Sequence, residues 1–344
     1  MSNYTLDETK ECLSLVSNIF IDWTEQVLDI NDLEKLSIIG VGNSISSGWS
    51  NHSDDVKPLI SKLDSYILGK ANKRGICITT SSFPIAHNNS NENIYKFLSN
   101  NPSLSDVRNY FKQTLDAWKT DFGTTPLKYT IDKQSAINLY PDSDLHLDDF
   151  FDERTLSLVN FNGFTGEFLS NIKGGLTNAI DRELFFMEKI IELFLSKSNN
   201  SYMTVGNFPV FPKANPLNIL INKKVNSRIQ ELISKSNKVV PGRVMYFDKT
   251  YLNFINLKDD EALNILEAIR KARSLSIIKI DNHPNTKLQY LYLSRYLLFI
   301  MQVLPKYIAW YKREYFSNDI VASKNVNLAH DFTNRIQSLN LHKL

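Results

Sequence analysis

Two cysteines in 344 residues leave little room for cross-linking or metal chemistry. Cys12 and Cys77 stand far apart among apolar neighbours, with no Cys-x-x-Cys, so neither a disulfide framework nor a zinc site is expected. Cys77, within Gly75-Ile76-Cys77-Ile78-Thr79, reads as a buried strand residue. An excess of one charge is missing too. The 39 basic residues nearly balance 37 acidic ones, for a net +2, which gives no electrostatic reason to expect nucleic acid or an anionic membrane as partner. Residues 1–8 lack a basic stretch followed by an apolar run, so no secretion signal is expected and a cytoplasmic location is the default. The most apolar stretch, residues 290–304, is interrupted by Ser294, Arg295 and Gln302. It reads as a buried helix and not as a membrane span. No internal repeat of fixed period is present.

What is present suits a large folded core, with 42% hydrophobic and 22% charged residues. Residues 8–30 carry Leu13, Val16, Ile19, Phe20, Trp23, Val27 and Leu28 at helical spacing, which predicts an N-terminal amphipathic helix. Leu36-Ser37-Ile38-Ile39-Gly40-Val41 reads as a buried strand entering a glycine turn. A helix is expected over 54–68 and a second strand over 75–80. Residues 81–155 are less regular, with Asn88-Asn89-Ser90-Asn91, Asn100-Asn101-Pro102 and an acidic run from 142 to 152. A helix over 105–118 is expected there, with Val107, Tyr110, Phe111, Leu115 and Trp118 on one face. Further strands are expected over 155–161, 201–205 and 243–247, with helices over 180–196, 219–233 and 288–311. Strands alternating with helices predict a parallel sheet of about five strands covered on both faces, a three-layer α/β/α sandwich. The whole chain, 1–344, is expected to form one domain. Residues 1–34 would be a helical extension, 81–155 an insertion or lid, and 288–344 a C-terminal helical segment.

Two segments carry chemistry. Gly40-Val41-Gly42-Asn43-Ser44-Ile45-Ser46-Ser47-Gly48 directly follows a predicted strand. Open α/β sheets place ligands at the carboxyl ends of their strands. Small residues around Ser44 let a substrate approach, and the following backbone N–H groups can face a developing oxyanion. A glycine turn with a capping serine is the plainer alternative. A dinucleotide fingerprint would need glycine where Ile45 stands. The second segment is Ile280-Asp281-Asn282-His283-Pro284-Asn285, just before a long apolar helix. A serine hydroxyl needs a base titrating near neutrality, which histidine supplies, and a carboxylate to orient that histidine.

Gly42-Asn43-Ser44 with its trailing Ser46-Ser47-Gly48 resembles the first conserved block of the SGNH/GDSL hydrolase superfamily, and Asp281-Asn282-His283-Pro284-Asn285 resembles the last. Their order matches: nucleophile in the first strand-turn, base before the C-terminal helix. The segment 203–209 resembles the family's strand-proline segment, 215–233 the helix after it, and Tyr246-Phe247-Asp248 the next strand end. The resemblance spans about 36–300, with 81–155 unmatched in detail. It implies an SGNH/flavodoxin-like fold and a serine carboxylesterase with Ser44 as nucleophile, His283 as base and Asp281 as acid. Asn43 and Ile45 would flank the substrate, and no metal or organic cofactor would be needed. The oxyanion hole would use the Ser44 N–H and the third-block asparagine, which Leu158-Val159-Asn160-Phe161-Asn162-Gly163 places at Asn162. A second alignment makes 162–166 the second block, with Gly163 as donor.

Three departures stand out. Asn43 replaces the usual aspartate before the nucleophile, no glycine marks a second block at 81–90, and Asp281 lies two residues before the histidine where the family has three. The implied substrates are carboxylic esters, with O-acetylated carbohydrates and short acyl esters foremost. An acyltransferase using the same site and a catalytically weak binding module are the rivals. His52, His87, Glu167 and Asp181 are lesser pocket candidates. The acidic residues Asp142, Asp144, Asp148, Asp149 and Asp152 lack a glycine-centred calcium spacing and read as a charged loop.

Overall fold

The computed structural model describes residues 5–43, 46, 57–85, 90–122, 133–163, 176–207, 216–248 and 286–343. Five parallel strands form one sheet: β1 (Lys35–Gly42), β2 (Cys77–Pro84), β3 (Thr155–Asn162), β4 (Ser201–Gly206) and β5 (Val244–Phe247), in the order β2-β1-β3-β4-β5. Helices cover both faces, so the expected three-layer α/β/α sandwich is the fold.

The pleat explains the layering, since successive side chains in a strand point to opposite faces. Leu36 and Ile38 of β1, Leu156 and Leu158 of β3, Tyr202 of β4, and Met245 and Phe247 of β5 share one core. That core is completed by α1 (Leu6–Asn31), α2 (Asp64–Lys73), α8 (Thr286–Phe316) and α9 (Asp319–Ser338). The intervening residues Ile39, Val41, Val159, Phe161, Met203, Val205 and Val244 join the other core. Covering that face are α3 (Asn91–Ser99), α4 (Leu104–Phe122), α5 (Lys133–Asn138), α6 (Leu176–Lys197) and α7 (Pro216–Val239). Strands buried on both sides read as mostly apolar runs, as Leu36-Ser37-Ile38-Ile39-Gly40-Val41 of β1 shows.

Local chemistry sets several boundaries. At the start of α1, Glu8 N donates to Thr5 Oγ1 at 3.2 Å and Thr5 N donates back to the Glu8 carboxylate, a reciprocal cap. Leu13, Val16, Phe20, Trp23 and Val27 are fully buried along its inner stripe. The helix expected over 54–68 starts later than its periodicity suggests. A 3-10 turn, Ile60–Leu63, precedes α2, which runs to Lys73. Pro58 disfavours helix at Lys57, the residue before it, and residues 54–56 lie outside the described ones. Between 81 and 155, residues 81–84 belong to β2, while Ile94, Leu98, Val107, Phe111 and Leu115 pack into the second core. Trp118 lies outside the described side chains.

Cys77 needs correcting. It opens β2 and is exposed, because β2 is an edge strand with no neighbouring strand on its outer side. Residues 290–304 lie in the buried part of α8, and no helix among the described residues is long and apolar enough to cross a membrane.

Candidate active site

The strand order fixes where a ligand would sit. From β1 the chain steps outward to β2, then crosses back to β3 on the other side of β1. The carboxyl ends of β1 and β3, where the strand order reverses, are the position at which open α/β sheets bind their ligands. The register pairs Gly42 with Asn162, and the two segments singled out in the first half of the sequence meet there.

Gly42 is demanded by this meeting. Its φ is +142°, and a Cβ on it would lie 2.4 Å from Asn162 O and 2.7 Å from Ser46 Oγ. Asn43 N donates to Asn162 O at 3.3 Å, and Ile85 N donates to Gly42 O at 2.7 Å, so β1 is tied to both neighbours past its last ladder position. Ser46 Oγ donates to Val41 O at 3.0 Å, while Leu59 N donates to Ser46 O at 3.0 Å. Asn43 and Ser46 are both buried. Ser44 and Ile45 lie outside the described residues.

Asn160 and Asn162 alternate with Val159 and Phe161 on β3, so both carboxamides enter the face covered by α8. There they form a polar knot. Asn162 Nδ2 donates to Asn160 Oδ1 at 2.7 Å and to Tyr292 Oη at 3.3 Å, with Ser46 Oγ at 3.5 Å. Tyr292 Oη donates to Asn160 Oδ1 at 3.0 Å, and Asn160 Nδ2 donates to Thr204 Oγ1 at 3.4 Å. Asn162 is 1% exposed. Burial pushes the Tyr292 phenol up to about 12, so it stays neutral at physiological pH and keeps its donor proton. A buried carboxamide without partners would cost about 1–3 kcal/mol per unsatisfied group, and this network removes that cost.

Gly163 follows directly. A Cβ there would stand 2.0 Å from Phe161 Cζ and 2.6 Å from Asn91 Oδ1, so the start of α3 closes tightly on the turn after β3. Past β4, Asn207 N donates to Phe247 O at 3.2 Å and Asn207 Nδ2 to Asp248 Oδ1 at 2.8 Å, tying the β4 and β5 ends together. The helix α8 starts at this same edge. Tyr292 near its beginning touches the β3 end, and Tyr311 near its end packs on Tyr202 at the start of β4.

Of the expected site residues, Asn43, Asn162 and Gly163 lie together at the carboxyl ends of β1 and β3. Asp281 and His283 lie outside the described residues, as do His52, His87 and Glu167. Asp181 is surface-paired with Arg228. The acidic run is consumed locally: Asp142 pairs with Arg108, Asp148 with Lys197, Asp149 accepts His146 N at 2.7 Å, and Asp152 accepts Thr155 Oγ1 at 2.7 Å. Among the described residues no group of three or more His, Cys, Asp or Glu could hold a metal ion. Sequence reasoning passed over Asn160, Ser46 and Tyr292. An Asn-x-Asn alternation inside an apolar strand was the one available signal; nothing local to Tyr292 announces its partners.

No protein-family model matches the chain, and no curated protein does. Three solved structures show a partial likeness. An active-site mutant of a family two carbohydrate esterase from Clostridium thermocellum has a TM-score of 0.36 at 12% identity, covering 78% of this chain and 63% of that one. A family two carbohydrate esterase from Clostridium thermocellum in complex with cellohexaose gives 0.35 at 9% identity, over 78% and 64%. A family two carbohydrate esterase from Cellvibrio japonicus gives 0.34 at 12% identity, over 85% and 63%. The chain thus spans less than two thirds of the length of these structures. Likeness at this level is one of partial chain course and leaves the chemistry to the residues themselves.

Proposed function

We propose that this chain is a serine esterase acting on a carboxylic ester, with an O-acetylated carbohydrate or a short acyl ester as substrate class. The observation that carries the reading is the junction of Gly42-Asn43 with Asn162-Gly163 at the reversal point of the sheet, where only glycine fits at Gly42. The Gly42-Asn43-Ser44 and Asp281-Asn282-His283 segments supply the chemistry. In this mechanism Ser44 Oγ attacks the ester carbonyl while His283 takes its proton, with Asp281 orienting the imidazole. The Ser44 N–H and the Asn162 amide hold the oxyanion, with the Gly163 N–H as the alternative donor. His283 then returns the proton to the leaving alcohol, and water cleaves the acyl-enzyme. One oxyanion donor is worth about 2.7–4 kcal/mol of barrier. To act as one, Asn162 Nδ2 trades part of its contact with Tyr292 or Ser46 for the substrate oxygen.

A second reading, a binding module with little turnover, is favoured by the same knot, since Asn162 Nδ2 already contacts Asn160, Ser46 and Tyr292. Hydrolysis of p-nitrophenyl acetate and butyrate by the wild type, Ser44→Ala and His283→Ala decides between them. The esterase reading expects both variants to lose activity by orders of magnitude. No turnover above the variants, together with no fluorophosphonate labelling of Ser44, would leave the binding module.

A further inference from the structure

Behind the Gly163 turn lies a buried acid that the proposed mechanism does not use. Glu183 sits on α6, only 7% exposed, facing the first residue of α3. Asn91 N donates to Glu183 Oε2 at 2.8 Å, and Asn91 Nδ2 donates to Glu183 O at 3.0 Å. This two-point bracket joins α3 to α6. Asn91 is itself fully buried, and its Oδ1, which has no hydrogen-bond partner among the described residues, is one of the atoms that a Cβ on Gly163 would meet, at 2.6 Å. The bracket therefore backs directly onto the turn that ends β3.

We propose that Glu183 is a positioning residue for the candidate site: its carboxylate pins the start of α3 against the Gly163 turn, and protonation loosens that pin. The role rests on the esterase reading of this edge. A carboxylate accepting a backbone N–H makes a charge-assisted bond about twice as strong as a neutral one. Protonation removes the charge and so weakens that bond. The α3 start and the Gly163 turn share one tight contact, so loosening one moves the other.

The surroundings allow the switch to work near neutrality. Burial is the largest influence and raises Glu183 to about 7, opposed by the Asn91 N–H. Arg182 lowers it and Glu92 raises it, and these two are paired with each other. Glu92 also holds Lys96 at 2.8 Å. From α7, Arg228 pairs with Asp181 and Lys235 with Glu188, while Tyr95 of α3 packs its ring on Phe186.

The test follows the Asn91 amide by ¹⁵N-resolved NMR between pH 5.5 and 8.5 in the wild type, Glu183→Gln and Glu183→Asp. The Asn91 signal should titrate with a midpoint near 7 in the wild type, stay flat in Glu183→Gln, and titrate again in Glu183→Asp with a shifted midpoint. A flat wild-type signal, or an unchanged titration in Glu183→Gln, overturns the pin. Activity is the second readout. The pH profile of kcat should carry a step of about fivefold with a midpoint near 7 in the wild type, on top of the limb set by the catalytic base, and that step should be missing in Glu183→Gln. At pH 8 kcat should be about fivefold lower in Glu183→Gln with KM within about twofold. Identical limbs in both proteins overturn the positioning role. Absence of Ser44-dependent turnover at every pH removes the esterase reading and with it the catalytic role, while the Asn91 titration decides the pin separately.

Discussion

Replacing Tyr292 by phenylalanine takes one oxygen atom out of the polar knot beneath the carboxyl edge. In the wild type that oxygen donates to Asn160 Oδ1 at 3.0 Å and accepts from Asn162 Nδ2 at 3.3 Å. Without it, Asn162 Nδ2 still donates to Asn160 Oδ1 at 2.7 Å, so neither carboxamide loses all its partners. The stability cost should then stay near the net worth of one or two neutral hydrogen bonds, about 1–2 kcal/mol, read as a small drop in the denaturation midpoint. The effect on catalysis follows from what the phenol holds still. If Asn162 supplies an oxyanion donor, Asn162→Ala should cost about 10²–10³ in kcat. Tyr292→Phe should cost about three- to tenfold, because the amide remains but samples other rotamers. A double-mutant cycle separates this from a general weakening. Adding Tyr292→Phe to Asn162→Ala should change kcat no further. Equal factors in both backgrounds, or a stability loss above about 4 kcal/mol, would refute the claim that Tyr292 acts through Asn162.

Three further outcomes follow from other parts of the structure. Gly42→Ala forces a Cβ to within 2.4 Å of Asn162 O at a φ of +142°, so thermal unfolding should show a loss of at least about 2 kcal/mol and esterase activity should vanish. Glu183 binds its proton more tightly in the folded chain, at about 7 against an ordinary 4.5, so its contribution to stability is full below about pH 4.5 and is lost as pH rises toward 7. The loss amounts to about 3 kcal/mol, and Glu183→Gln should flatten that part of a urea-denaturation series against pH. Arg243, buried at the opposite edge, donates Nε to Ser201 O at 2.8 Å and lies over the Tyr311 ring at 5.2 Å. Arg243→Ala should cost about 3 kcal/mol of stability in chemical denaturation while leaving kcat within about twofold.

Cys77 sits in an apolar run, yet nothing within that run tells a central strand from an edge strand; the strand order alone exposes it. Residues 54–68 have helical periodicity, but among the described residues a 3-10 turn over Ile60–Leu63 comes before the regular helix that starts at Asp64, and periodicity does not tell these two windings apart. The end of the chain likewise divides into two helices. Ser317, at a φ of +51°, breaks α8, and the Asn318 side chain accepts Val321 N at 3.1 Å to start α9. At the candidate site, Gly42-Asn43 and Asn162-Gly163 were readable as glycine turns after strands, because small residues at such ends carry a local signature.

By itself, then, the sequence determined the strands, the alternating helices and the parallel three-layer class, since burial on both faces writes itself into the mostly apolar runs of the central strands. It also marked the two strand ends that meet. Only the tertiary structure decided what their polar atoms do. Asn162 meets a tyrosine 130 residues away, and Glu183 meets an amide 92 residues away. Whether a buried carboxamide is locked or a buried acid titrates near neutrality depends on partners and desolvation, and both are set by which distant segments pack together.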